Sequence, residues 1–364
     1  GLTPQASDVG GLSLQGDRDT LWALNLHLRT ASRILVRVAR FRAVGFRDLE
    51  RRGREIPWHA FLPVEVPPDE VAFEVTCRKS RLYHSGAVEA RLREALAASG
   101  AGRPGGRAPR RDRGESKGAL PPPPRFVVRL VRNRLTLSAD ASGTPLHRRG
   151  YREAVGKAPL RETVAAALLL AGEWHGETAL VDPFCGSGTI PIEAALLARG
   201  IPPGLRRRFA FEAWSGGSPE EGAAARSRAW GEEGEPSPAG SLPPILGSDR
   251  DEGAVASAWA NARRAGVETW VDFSRAAVST APLPDPPGIL VTNPPHGHRV
   301  GDPATLRNLY ARLGARIRSE WSGGRIVLLS ADRGLAVQLG LETRVLFRTR
   351  IGGIPVEALA AEIP

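Results

Sequence analysis

The sequence predicts an α/β protein in two parts: a small basic α+β domain, then an open, mostly parallel sheet with helices between its strands. Three observations carry this reading. From Leu160 onward short apolar strands alternate with helical stretches, the βαβ texture of a parallel sheet. The chain closes with RVLFRTRIGGIPVEAL, two strands around Gly352-Gly353 that read as a hairpin. The charge divides at Gly150. Residues 1–150 hold 27 basic and 15 acidic side chains, net +12, whereas residues 151–364 hold 23 and 24, net −1. Arginine dominates the basic residues in both halves (Lys79, Lys117 and Lys157 are the only lysines), but acids fail to balance it only in the first. That imbalance suits a domain that holds a polyanion.

In the first part, Leu21, Leu24, Leu28 and Ala31 recur at helical spacing over 20–32, with Asp17 or Asp19 as the cap. RILVRVARFR, residues 33–42, reads as a half-buried strand with an arginine face. Residues 46–53 predict a short helix, 71–76 a strand, and 87–98 an amphipathic helix on Val88, Leu92 and Leu96. Residues 126–130 and 134–139 read as a hairpin. Ahead of that hairpin, Gly, Arg and Pro dominate residues 101–124, with five arginines from Arg103 to Arg113, a composition that packs no core. This is a mobile loop, read either as a solvated insertion or as an arm that touches phosphates. In the second part the expected strands are 179–181, 245–247, 289–292 and 325–329. Residues 200–243, rich in Pro, Gly and Glu, interrupt the pattern as an insertion.

The 364 residues leave room for two or three domains. No apolar run reaches the length of a membrane span, and no basic-then-apolar leader opens the chain, so a cytoplasmic location is expected. Two cysteines, Cys77 and Cys185, exclude a disulfide scaffold. The chain lacks Met altogether, so a true start is expected upstream of Gly1.

Three stretches bear chemistry. In ALVDPFCGSGTIPIEAALLA a strand ends at Asp182, a turn with Gly186 and Gly188 follows, and a helix starts near Thr189. Glycines let backbone pass close under a ligand, and amides at the helix start face it beyond the strand's carboxyl end. No GK[ST] triplet occurs, and Pro191 stands where a dinucleotide fingerprint needs its third glycine. A nucleoside without phosphates fits better, because Asp182 would meet a cationic amino-acid moiety but repel a pyrophosphate. In ILGSDRD a strand ends on Asp249, where an acid takes ribose hydroxyls; Asp251, or either acid, also suits a helix cap. In ILVTNPPHGHR a buried strand runs into Asn293, Pro294 and Pro295. Paired carbonyl acceptors there suit a planar exocyclic amine, and His296 stands where an aromatic residue would stack on the base. His296 and His298 have no third metal ligand of the right type nearby, so no metal is expected. Cys185 reads as a small packing residue.

Together these stretches resemble the class I S-adenosylmethionine-dependent methyltransferases that act on base amines. More narrowly, the chain is similar to the THUMP-domain RNA guanine methyltransferases. GGLSLQG (10–16), LRTASRILVRV (28–38), LHRRGYR (146–152), APLRET (158–163), DPFCGSGT (182–189) and NPPHG (293–297) carry the likeness, which covers almost the whole chain. The most specific part is LHRRGYR followed by APLRET, outside the generic core.

The resemblance implies a Rossmann-like methyltransferase domain over 146–364. It also implies a partial ferredoxin-like piece over 1–40, missing its N-terminus, and a THUMP RNA-binding domain over 41–145. S-adenosylmethionine is the implied cofactor, held by Asp182, Phe184, Gly186, Gly188, Thr189, Asp249 and Arg250, with Glu162 and Thr163 closing over it. The implied partner is structured RNA, ribosomal or transfer, with the enzyme a monomer off the membrane. Asn293 and Pro294 would accept the amine hydrogens of a guanine, Pro295 would fix the loop, and His296 would stack on a flipped base. Two features depart from the family. His296 replaces the usual Tyr or Phe. The acid that reads the cofactor adenine is absent from its expected place at Arg275 or Ala276, and Asp272 comes too early. A DNA adenine amine methyltransferase, which shares the Asn-Pro-Pro chemistry, and a non-catalytic RNA-binding or ribosome-assembly factor are the alternatives.

Overall fold

A computed structural model of the protein describes residues 3–8, 10–63, 66–101, 123–152, 160–231, 242–295 and 303–364. It divides into two compact units, residues 1–146 with 207–232, and residues 147–206 with 233–364. The arginine-rich loop expected over 101–124 lies almost wholly outside the described residues, as does His296.

The first unit begins with a short antiparallel pair, β1 (Ala6–Asp8) and β2 (Gly11–Ser13). Helix α1 (Arg18–His27) follows, and of the two candidate caps it uses Asp17, whose Oδ1 accepts from the Thr20 amide at 2.8 Å. Then come β3 (Leu35–Arg42), α2 (Phe46–Arg54), β4 (Ala72–Arg78), α3 (Ser85–Ala98), β5 (Arg125–Val131) and β6 (Arg134–Asp140). These four strands make one sheet in the order β3-β6-β5-β4. The β5–β6 hairpin turns on Arg132 and Asn133, both at positive φ, as a two-residue connection requires. Alternation gives the sheet one apolar face. Phe126, Val128, Leu130, Leu135 and Leu137 pack there with Val88, Leu92 and Leu96 of α3 and with Trp58. The register of β3 on β6 shifts between Arg37 and Ala39, and Val36 and Phe41 pack against the same core on either side of that irregularity.

The second unit holds α4 (Glu162–Ala171), β7 (Leu180–Asp182) and α5 (Thr189–Ala198). The chain then makes α6 (Pro219–Trp230), which belongs to the first unit. It resumes with β8 (Ile245–Asp249), α7 (Glu252–Ala265), β9 (Asp272–Arg275), β10 (Ile289–Thr292), α8 (Pro303–Glu320), β11 (Arg325–Ser330), α9 (Arg333–Val337), β12 (Arg344–Ile351) and β13 (Ile354–Glu362). The seven strands lie in the order β12-β13-β11-β10-β7-β8-β9. All neighbours from β11 to β9 are parallel, and β13 runs antiparallel to both β11 and β12. The terminal hairpin therefore closes one edge of a parallel sheet. The strand order reverses between β7 and β10, which makes that the topological switch point. Among the described residues no helix is long and apolar enough to cross a membrane.

The segment expected as an insertion over 200–243 needs correction. Residues 207–232 fold with the first unit. Phe209, Phe211, Trp214 and Ala225 are buried in its core, and Phe211 meets Trp22 edge-on with ring centres 4.6 Å apart. The Trp22 indole also donates to Glu221 at 2.8 Å. The Pro, Gly and Glu composition concealed these aromatic anchors, which bury too much apolar surface to serve as a solvated excursion.

Candidate active site

Strand β7 delivers Asp182 to the switch point. The turn 183–188 follows and α5 begins at Thr189, as the sequence predicts. Gly188 is the N-cap of α5 at φ +81°, and Gly186 sits at φ +52°. Their reasons differ. A Cβ on Gly186 would meet nothing within 4 Å, so that side of the turn is open and only the backbone angle demands glycine. A Cβ on Gly188 would stand 2.8 Å from Phe273 Cζ and 2.9 Å from Ala258 Cβ, so this glycine packs against the protein itself. Gly188→Ala should therefore cost on the order of 2–4 kcal/mol of stability, adding overpacking to the left-handed backbone penalty. Gly186→Ala should cost about 1–2 kcal/mol. Urea unfolding of the two variants checks the order, and equal losses would show that the packing is irrelevant.

Asp182 is almost fully buried. Its Oδ1 accepts from the Thr292 hydroxyl at 2.7 Å and the Phe184 amide at 3.1 Å, which ties the tips of β7 and β10 together. Burial pushes its carboxyl up to about 7, against those hydrogen bonds. Asp249 ends β8 and braces the turn: Oδ2 accepts from the Gly186 amide at 3.1 Å and Oδ1 from the Asp251 amide at 2.9 Å. Asp251, not Asp249, caps α7, accepting from the amides of Gly253 and Ala254. Arg250 is exposed beside them. Phe184, half-buried, packs on the core beneath β10 and β11. Cys185 is buried with its thiol pushed up by burial, and its Cβ would lie 3.1 Å from one added to Gly247. That is a packing residue in a tight layer.

Beyond β10, the Oδ1 of Asn293 is a buried acceptor with no hydrogen-bond partner among the described residues. Such a group costs about 1–3 kcal/mol, which a protein sustains where a ligand answers it. The Tyr310 hydroxyl of α8 donates to the Pro295 carbonyl at 3.4 Å and anchors the loop.

Glu162 and Thr163, expected over the cofactor, are both buried at the start of α4. Glu162 pairs with Arg152 at 3.7 Å, and burial pushes its carboxyl upward. Arg152 also donates to the Leu160 carbonyl at 2.9 Å and to the Thr189 hydroxyl. Beside this pair, the Tyr151 hydroxyl donates to Glu193 at 3.1 Å, and the Arg264 guanidinium donates to the Tyr151 carbonyl at 2.7 Å. Asn261 of α7 donates to the Ser187 carbonyl at 2.9 Å. The LHRRGYR motif thus supplies a buried polar lattice that reaches the first residue of α5. Its role was hidden in the sequence, although charged residues flanking a buried tyrosine were the visible signal. Thr292 and Asn261 carried no such signal.

A parallel sheet reversed at β7, with a glycine turn leading from that strand into a helix, defines a Rossmann-like α/β methyltransferase. The chain belongs to the RMKL-like methyltransferase domain family, whose model matches residues 149–344. A second model, for the RlmL ferredoxin-like domain, matches residues 1–35. A protein named ribosomal RNA large subunit methyltransferase K/L, from Syntrophotalea carbinolica, is 33% identical over 371 residues, covering 97% of this chain and 49% of that protein. The chain thus spans about half the length of the K/L relatives it matches. Among solved structures, one described as a predicted N6-adenine-specific DNA methylase from Listeria monocytogenes superposes with a TM-score of 0.83 at 30% identity, over 100% of this chain and 90% of that one. A putative methyltransferase complexed with SAH superposes with a TM-score of 0.80 at 26% identity, over 100% and 92% of the two chains.

Proposed function

We propose that this chain methylates the exocyclic amine of a guanine in structured RNA, with S-adenosylmethionine as cofactor and large-subunit ribosomal RNA as the substrate. The unpartnered, buried Asn293 Oδ1 at the tip of β10 carries the chemical part of this reading. The net +12 of residues 1–150 and the K/L relative support RNA.

The open side of the turn at Gly186 fits a nucleoside cofactor. Gly186, Gly188 and Thr189 would cradle it, Asp249 would take its ribose, and Asp182 would face its cationic end. When bound, S-adenosylmethionine supplies an electrophilic methyl group on a positively charged sulfur. The protein's part is then orientation. Asn293 Oδ1 and the Pro294 carbonyl accept the two amine hydrogens, which directs the nitrogen lone pair and raises its electron density. Pro295 holds the loop stiff, with Tyr310 gripping its carbonyl. No strong base is required, because nitrogen sheds a proton readily once it becomes cationic. His296 completes the proposal as the stacking partner for the base.

The test is transfer of labelled methyl from S-adenosylmethionine to large-subunit ribosomal RNA, with nucleoside analysis of the product. An N2-methylated guanosine is expected. Label appearing only in adenine of DNA would overturn the reading, and so would cofactor binding without transfer to any nucleic acid.

A further inference from the structure

The register of the four-stranded sheet sorts its side chains by face. Residues paired across strands point the same way. Val128–Leu137 and Leu130–Leu135 face the helices, so Arg129–Thr136, Val131–Arg134, Arg40–Thr136 and Arg42–Arg134 face outward. Thr76–Arg129 and Arg78–Val131 extend that outer face to β4, and Arg37 extends it along β3. Arg37, Arg40, Arg42, Arg78, Arg129 and Arg134 therefore form a grid on the face opposite the helices, and all six are exposed. Arg37 donates to Ser13 at 3.3 Å, and among the described residues none of the six is paired with a carboxylate. The acids on this face are already spent. Glu74 holds Arg125 at 3.2 Å, and Asp140 is buried against Arg33.

Six unpaired guanidinium groups, spread over neighbouring strands about 4.8 Å apart, repel one another and call for a polyanion. The aromatic residues of these four strands, Phe41, Phe73 and Phe126, all pack on the opposite face, so the strands offer no ring outward for a base. A sheet that reads bases stacks them on exposed aromatic residues. The geometry points to the open face of β3-β6-β5-β4 as a docking surface for the phosphate backbone of structured RNA, gripping it without reading its sequence. This deepens the proposed function and rests on it. Selection of the target nucleotide then falls to other parts of the protein.

The test uses the full chain and a fluorescein-labelled RNA hairpin, with binding followed by anisotropy between about 50 and 200 mM salt. The triple variant Arg40→Gln, Arg129→Gln, Arg134→Gln should lose roughly 10–100-fold in affinity at 0.1 M salt and about 2–3 from the slope of log affinity against log salt. Arg→Lys at the same three positions keeps the charge and should retain most of the affinity, which separates loss of contact from misfolding. A control with equal charge loss on α2, Arg47→Gln, Arg51→Gln and Arg54→Gln, should change affinity little. Changing the loop sequence of the hairpin should leave binding the same. Equal losses in the control and the sheet variant would overturn the assignment of the face while leaving the RNA reading intact. A wild-type protein that binds no RNA would overturn both.

Discussion

Asn293→Ala should lower turnover by two or more orders of magnitude, on the order of 3 kcal/mol in the transition state, with little change in cofactor affinity. The argument is differential. In the protein without substrate, Asn293 Oδ1 is desolvated and accepts from none of the described residues. An acceptor held ready in that way costs stability and returns it when an amine arrives, most of all as positive charge grows on the nitrogen. The same reasoning makes a second forecast for stability. Removing an unsatisfied acceptor should leave unfolding unchanged or slightly harder, unlike most truncations of a half-buried side chain. Steady-state kinetics with saturating RNA, read beside urea unfolding, checks both. A variant that lost stability and kept turnover would show that Asn293 is a structural turn residue.

The strands that position this site were legible because each is a short apolar run ending at a polar residue. Strands β7, β8, β10 and β11 lie within two residues of their predicted bounds. Strand β9 was not legible. DFSR contains one buried apolar residue, Phe273, and as an edge strand it has a neighbour on one side only. The cofactor turn was readable from Gly186 and Gly188, but not the reason for each. A sequence shows that glycine is present; the approach of Phe273 from β9 is a property of packing. The same limit applies to Asp182. Its place at a strand tip is visible in LVD, whereas its bond to Thr292, 110 residues away, depends on β7 and β10 being neighbours. The arginine face of β3 was visible by alternation. Its continuation through Arg129, Arg134 and Arg78 needed the register.

Asp182→Asn should weaken cofactor binding roughly tenfold or more while raising the stability of the cofactor-free protein at neutral pH. The amide keeps an oxygen for the Thr292 hydroxyl and the Phe184 amide, so the link between β7 and β10 survives. What it removes is the charge. In the folded protein burial holds the carboxyl at about 7, above its ordinary 3.8. Between those two values the folded state keeps a proton that the unfolded chain has released. The wild-type protein should therefore lose stability as pH rises from about 4 to about 7, by at most on the order of 4 kcal/mol, and level off above that. The asparagine variant should lack this slope and be roughly 1–3 kcal/mol more stable at pH 8, allowing for the cost of a buried amide donor. A cationic cofactor works in the opposite direction. It favours the ionised carboxylate, so wild-type affinity should rise as pH approaches 7, with a proton released on binding, and the variant should show neither effect. Urea unfolding at pH 5 and pH 8, with calorimetric titration of S-adenosylmethionine at both, measures all four quantities. Parallel stability curves for the two proteins would remove the buried-charge argument. Unchanged cofactor affinity in the variant would move the cationic end of the cofactor away from Asp182.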